Sequence, residues 1–197
     1  MKRTKGKEGF ESAPGSIVLI GDSVLRNESY VGKNESVAAI LTQLGRYHVR
    51  NYAQDGATIQ STLTQINHIP ENNNNNNGKD IPVVFLSVGG NDMLQMRRKT
   101  EQKIQQLFDT YIGVVQDLQN KFPNSSIYLL NMYLPPDPKF EESEKYVLQW
   151  NKLLAEMTCC KVVDIYSQLN TANDFTHQIE PSFAGGKRIV GAMLLAM

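Results

Sequence analysis

Short apolar runs alternate along this chain with longer segments whose apolar residues recur at helical spacing, and this alternation restricts the fold more than any other feature. Alternating strands and helices form βαβ units, whose sheet is parallel and covered by helices on both faces. Five runs have the length and composition of buried strands: 16–20, 47–52, 81–88, 126–131 and 161–165. Helical patterns follow the first four at 37–44, 58–66, 104–118 and 147–157, and a last helix is expected from Gly186 to the C-terminus. The sequence therefore predicts an α/β protein with a five-stranded parallel sheet.

The chain length of 197 residues fits one domain, which we place at residues 16–197. Residues 1–15 are polar and basic, and we expect them to be a disordered leader. The six asparagines at 72–77 predict a solvated surface loop. The longest apolar runs are too short to span a bilayer. Lys plus Arg and Asp plus Glu both number 20, so charge gives no reason to expect nucleic acid or an anionic membrane as a partner.

The two cysteines, Cys159 and Cys160, are adjacent in the sequence. Neighbouring cysteines rarely form a disulfide with each other, and two free thiols favour a reducing compartment. We therefore expect a cytoplasmic protein, although a signal peptide removed before the first residue is also compatible with the sequence. The sequence does not indicate an oligomeric state.

Polar and glycine-rich residues follow the first three predicted strands, at 21–24, 51–56 and 89–92, and a fourth polar loop, at 177–182, precedes the last helix. In an open parallel sheet, ligands bind beyond the carboxyl ends of the strands. These four loops are therefore expected to converge at one edge of the sheet and to form the functional site there.

Three residues of these loops are suited to stabilise a developing oxyanion. Ser23 stands at a strand-to-helix turn, where its hydroxyl is presented and its own N–H can point at the reacting carbonyl. Gly56 lets the backbone approach a substrate closely. Asn91 offers a neutral side-chain donor. Together they are suited to offer three hydrogen-bond donors to one oxyanion.

The loops resemble the conserved blocks of the SGNH, or GDSL, hydrolases. Residues 21–24, Gly-Asp-Ser-Val, are similar to the first block, with Val for the usual Leu, Gly56 is similar to the second, and 89–92 are similar to the G-x-N-D block. The resemblance implies a three-layer α/β/α, flavodoxin-like fold and the activity of an esterase, lipase, thioesterase or carbohydrate deacetylase without metal or organic cofactor. It also implies Ser23 as nucleophile, with the N–H groups of Ser23 and Gly56 and the Asn91 side chain as the oxyanion hole.

The last family block, Asp-x-x-His-Pro, is altered, and two registers compete for it. In one, residues 174–177 supply Asp and His at the right spacing, but Gln178 stands where Pro is usual. In the other, residues 180–182 replace His-Pro-Ser, and Gly185 falls where the family has a glycine before the last helix. We prefer the second register for the backbone, because it keeps the spacing into that helix. It places Glu180 at the family's His position and His177 at the family's Asp position, so the carboxylate and the imidazole are exchanged.

Two groups therefore compete for the role of general base. His177 can act if its loop turns it toward Ser23, with Glu180 or Asp174 as the orienting carboxylate. Glu180 can act only if burial raises its pKa. We favour His177 narrowly, because imidazole titrates near neutrality without special help and the remaining histidines lie away from the active edge.

These patterns predict hydrolysis of a small-molecule ester through an acyl-enzyme on Ser23. A short acyl group is favoured, since the sequence has no large apolar lid. The altered last block leaves one alternative from another class, a catalytically impaired SGNH-fold module that binds an acyl or carbohydrate ligand.

Overall fold

The computed structural model describes residues 15–70 and 81–197 of the chain. Its centre is a parallel sheet with the strand order β2-β1-β3-β4-β5, which is the flavodoxin-like order. The strands are β1 (Gly15–Gly21), β2 (Tyr47–Asn51), β3 (Val83–Ser87), β4 (Ile127–Leu130) and β5 (Lys161–Val163). The predicted five-stranded parallel sheet is confirmed.

In the described part of the chain, six helices cover the two faces of this sheet and give the expected three layers. They are α1 (Val37–Gln43), α2 (Ile59–His68), α3 (Gly90–Gln95), α4 (Glu101–Lys121), α5 (Glu144–Ala155) and α6 (Phe183–Ala196). Helices α1 and α6 share one apolar core with one face of the sheet, and α2, α4 and α5 share the other. Alternate residues of β1 enter the two cores, which is why 17–20 form an uninterrupted apolar run.

The apolar stripes predicted for the longest helices are core residues. On α4, the side chains of Phe108 and Tyr111 are buried, and both pack against Trp150 of α5. The ring centroids of Phe108 and Trp150 are 5.0 Å apart, and those of Tyr111 and Trp150 are 5.1 Å apart. Trp150 also lies against Gly89, where a Cβ would be 2.8 Å from the indole ring. The aromatic core therefore extends to the turn that carries Asn91.

Several elements differ from the predictions. The short helix α3 forms where a loop was expected, and residues 138–143, beyond a proline-rich loop, form a 3-10 segment. Helix α6 begins three residues earlier than predicted, because Ser182 caps it by accepting a hydrogen bond from the Gly185 N–H. Two further strands, β6 (Phe175–Thr176) and β7 (Glu180–Pro181), form a small antiparallel hairpin. The leader's residues 1–14 and the asparagine run lie outside the described residues.

Candidate active site

Ser23 lies in the turn that follows β1, at the carboxyl edge of the sheet. The backbone at Gly21 has φ 127°, and a Cβ at this position would lie 1.8 Å from the Ser87 carbonyl oxygen of β3. Only glycine fits there. The N–H groups of Leu25 and Arg26 then donate to the Asp22 carbonyl, which closes the turn around Ser23. Ser23 is 7% exposed and lines a partly open cavity.

Asp22 is buried beside Ser23 and holds the turn in place. Its Oδ1 accepts hydrogen bonds from the Val24 N–H and the Ser87 hydroxyl, both at 3.2 Å. Burial raises the pKa of Asp22 to about 7, although these two hydrogen bonds lower it. Asp22 therefore holds the turn, and burial keeps the pKa of its carboxyl far above the ordinary range of aspartate.

The second and third loops are joined to each other next to Ser23. One N–H of the Asn91 side-chain amide donates to the Ala57 carbonyl at 3.0 Å, and Asp92 Oδ2 accepts from the Ile59 N–H at 3.0 Å. Gly56 has φ 71° in the turn before Ala57, and it lies outside the cavity wall, whereas Asn91 is part of that wall.

The donors assigned to the oxyanion hole are not used by the fold. Within the described ranges, the backbone N–H groups of Ser23 and Gly56 donate to no other protein group. The second N–H of the Asn91 amide is likewise without a protein partner there. The N–H groups of Ser23 and Asn91 are therefore able to donate to a ligand in the cavity, whereas the free N–H of Gly56 belongs to a residue outside the cavity wall.

Glu180 is the ionisable residue of the last loop that reaches the cavity. It lies on β7, is 8% exposed, and lines the cavity together with Ser23. The pKa of Glu180 is raised, mainly by burial and to a smaller extent by the charge of Asp55. The nearby Ser23 hydroxyl and the charge of His177 lower this pKa but do not cancel the increase. No hydrogen bond of regular geometry joins the Glu180 carboxylate to Ser23, and Glu180 Oε2 is buried without a partner among the described residues.

His177 occupies the turn of the β6–β7 hairpin. It has φ 46° and Gln178 has φ 74°, so two consecutive residues adopt the left-handed conformation. The His177 side chain is exposed, and its ring packs edge-on against Tyr30 with centroids 5.6 Å apart. Its Nδ1 lies 3.2 Å from the Thr176 hydroxyl. His177 is thus near Glu180 but does not line the cavity, and its role as base stays a prediction.

Asp174 is fully buried and its carboxylate is engaged away from His177. Its Oδ2 accepts hydrogen bonds from the Thr171 N–H and hydroxyl and from the Asn170 N–H, at 2.8–3.2 Å. Its Oδ1 forms an ion pair with Arg188 at 2.8 Å. These contacts shape the loop and attach it to α6. An orienting contact between Asp174 and His177 is not observed.

The cavity beside Ser23 is about 90 Å³ in volume and is largely apolar. Its polar wall consists mainly of groups at the carboxyl edge of the sheet, including Asp22, Ser23, Ser87, Asn91 and Glu180. Ser87 could have been noticed from the sequence, because it ends the third strand. The apolar wall was not foreseen, since most of it comes from α3, α5 and the segment after β4, and Ile179 of the last loop completes it. Its residues from those three segments include Met93, Leu94, Met132, Leu134, Phe140, Val147 and Trp150.

A family model for GDSL-like lipases and acylhydrolases matches residues 19–185, which include all four loops. The chain belongs to this family. No curated protein matches the sequence significantly. Membership supports hydrolase activity of the esterase, lipase or acylhydrolase type, and it confirms the resemblance that the three sequence blocks indicated.

Solved structures of the same fold extend over nearly the whole chain. A lipolytic protein of the G-D-S-L family from Veillonella parvula is 21% identical, with a TM-score of 0.72 over 92% of this chain and 97% of that chain. An acetyl xylan esterase is 17% identical, with a TM-score of 0.66 over 92% and 99%. A family 3 carbohydrate esterase from Clostridium thermocellum is 19% identical, with a TM-score of 0.62 over 93% and 95%. At these identities the likeness establishes the fold.

The described residues lack both a membrane-spanning helix and a cluster of metal ligands. No helix in the ranges 15–70 and 81–197 has the length and hydrophobicity of a membrane span. In the same ranges, no three His, Cys, Asp or Glu side chains are grouped closely enough to hold a metal ion.

Proposed function

We propose that this protein hydrolyses a small acyl ester through a covalent acyl-enzyme on Ser23, with Glu180 as the general base. The observation that carries this proposal is that Ser23, Glu180 and Asn91 all line one apolar cavity at the carboxyl edge of the sheet. A nucleophile, a carboxylate and an oxyanion donor around one buried space are what acyl transfer requires.

The reaction follows from the roles of these groups. Ser23 Oγ attacks the ester carbonyl while its proton passes to the Glu180 carboxylate. The N–H groups of Ser23 and Gly56 and the Asn91 amide donate to the oxyanion of the tetrahedral intermediate. The alcohol leaves with the proton from Glu180. Water, deprotonated by Glu180, then attacks the acyl-enzyme and releases the acid and the free Ser23 hydroxyl.

The cavity favours a short acyl group with an apolar chain. Its volume of about 90 Å³ is well below the roughly 300–1,000 Å³ of pockets that enclose drug-sized ligands. Apolar side chains such as Met93, Met132 and Val147 offer an acyl chain no hydrogen-bond partner but allow it to leave water. The acyl and the alcohol parts of the substrate would then occupy the cavity and its opening, respectively.

The central test is covalent labelling of Ser23. We expect a fluorophosphonate probe to add to the folded protein with loss of fluoride, and Ser23→Ala to remain unlabelled, as measured by intact mass. Ser143→Ala is a matched control, because Ser143 lines the same cavity at the start of α5. A wild-type protein without adduct, under conditions that label a control esterase, would contradict the proposal and favour the impaired binding module.

Replacement of Asn91 tests the oxyanion hole. We expect Asn91→Ala to lower kcat by about 10²–10³, because a side-chain donor to the oxyanion is lost. Hydrolysis of p-nitrophenyl esters measures kcat, and a thermal melt measures stability separately. Gln95→Ala, on the exposed face of α3, is the control. Unchanged turnover in Asn91→Ala would remove this residue from the oxyanion hole.

A further inference from the structure

The side chain of Gln65, on α2, is paired with the backbone of Gly21 at the end of β1. The Gly21 N–H donates to Gln65 Oε1 at 2.8 Å, and Gln65 Nε2 donates to the Gly21 carbonyl at 2.8 Å. The two residues are 44 positions apart, and Gln65 is 2% exposed. The carboxamide thus copies the hydrogen bonding of a neighbouring peptide unit and fixes both polar groups of Gly21 at once.

This contact lies two residues before Ser23, at the point where the strand must end. The Gly21 carbonyl also accepts from the Gln54 N–H at 2.9 Å, and the next N–H, of Asp22, donates to the Ser87 carbonyl at 2.8 Å. The left-handed backbone at Gly21 is thereby held by α2, by β3 and by the loop that leads to Gly56. The direction of the chain through Ser23 depends on the orientation of this one residue.

We propose that Gln65 is a positioning residue for the nucleophile, and this inference rests on the function proposed above. Gln65 does not line the cavity, so it acts only through Gly21. By fixing the Gly21 peptide groups, it sets where the Ser23 N–H and Oγ lie relative to the Asn91 amide. Misplacement of a reacting group by about 1 Å can reduce a rate by about 10²-fold.

The test is Gln65→Met, which keeps the length of the side chain and removes both polar contacts. We expect kcat for a p-nitrophenyl ester to fall by about 10- to 100-fold, with KM changed little, because the substrate cavity is untouched and only the nucleophile moves. The rate of fluorophosphonate labelling at Ser23 should fall by a similar factor.

Thr62→Val is the matched control for lost stability. Thr62 is fully buried on the same helix, and its hydroxyl donates to the Thr58 carbonyl at 2.9 Å, so its contact stays within α2. If Gln65 only stabilises the fold, both variants will melt earlier and keep their kcat at a temperature where they are folded. A selective loss of kcat in Gln65→Met supports the positioning role.

Gln65→Glu provides a rescue and a second variant if Gln65→Met does not fold. A protonated carboxyl keeps one acceptor and one donor for Gly21, whereas an ionised carboxylate loses the donor. We expect kcat relative to wild type at the same pH to be close to one at acid pH and to fall as the pH rises. A ratio far below one at acid pH, where the carboxyl is protonated and keeps both contacts, would overturn the inference.

The results separate the inference from the proposed function. If the probe labels wild type but not Ser23→Ala, and Gln65→Met retains the wild-type kcat, the positioning role is overturned and the proposed function stands. If wild type is not labelled at all, both are overturned.

Discussion

Glu180→Gln is expected to lower kcat/KM for ester hydrolysis by about 10²–10⁴, the range that a positioned general base contributes. Glutamine keeps the shape of the side chain and cannot accept the proton of Ser23. The expectation rests on the placement of Glu180 on the cavity wall beside Ser23. Catalytic hydrogen bonds are often long before substrate binds, so the irregular geometry between the two side chains is compatible with this role.

The pH dependence of the rate tests whether Glu180 is the base. A base acts only when ionised, so activity should rise as the pH passes the pKa of Glu180. Burial raises that pKa above the ordinary range of glutamate, and the rising limb should be displaced to higher pH accordingly. In Glu180→Gln this limb should be absent.

His177→Ala is the matched comparison for Glu180→Gln. The charge of His177 lowers the pKa of Glu180. Its removal should therefore move the rising limb to higher pH and leave the plateau rate largely unchanged. The opposite pattern, in which His177→Ala loses the rate and Glu180→Gln keeps it, would identify the imidazole as the base, which was the preference from sequence.

Asp22→Asn is expected to change how the stability of the protein depends on pH. The pKa of Asp22 is raised in the folded state to about 7, against 3.8 in an unfolded chain. Between these values the folded state binds the proton and the unfolded state releases it, so the free energy of unfolding falls as the pH rises from about 4 to about 7. The loss from this group is at most about 4 kcal/mol.

Asparagine is neutral at every pH and keeps an oxygen for the Val24 N–H and the Ser87 hydroxyl. Asp22→Asn should therefore lack this loss. From pH 5 to pH 8, the free energy of unfolding should fall less in Asp22→Asn than in wild type. Urea denaturation at the two pH values measures the difference. Asp117→Asn, at an exposed position of α4, is the control. The same pH dependence in wild type and Asp22→Asn would contradict a raised pKa of Asp22 in the folded protein.

The strand and helix order could be predicted from the sequence because it depends on local periodicity. The runs at 16–20 and 81–88 contain the buried apolar residues 17–20 and 84–86, and the buried apolar side chains of α4 lie along one face of the helix. The short helix α3 could not be predicted, because Gly89 and Gly90 are typical of a loop. Gly89 is the N-cap of this helix with φ 115°, and Trp150 packs against it and leaves no space for a side chain there.

The candidate site was predictable in its segments but not in the direction of its side chains. The four loops do meet at one edge, since that follows from parallel strands. Which side chain of the last loop enters the cavity depends on the two left-handed residues His177 and Gln178, and their backbone conformation has no sequence signal as strong as glycine. The register that placed Glu180 at the family's His position gave its location, whereas the preference for imidazole chemistry pointed to His177.

The carboxamide pairing at Gly21 has a counterpart on the cavity wall. Asn151 accepts from the Met132 N–H and donates to the Met132 carbonyl, both at 2.8 Å. Neither amide side chain gains or loses a proton across the range in which proteins are folded, and neither contact is an ion pair that salt would screen. These two supports, one beside Ser23 and one at the cavity wall, therefore carry no titratable group, in contrast to the Asp22 carboxyl that also holds the turn around Ser23. A change of rate with pH should accordingly reflect carboxyl groups such as Asp22 and Glu180, and not the loss of these two contacts.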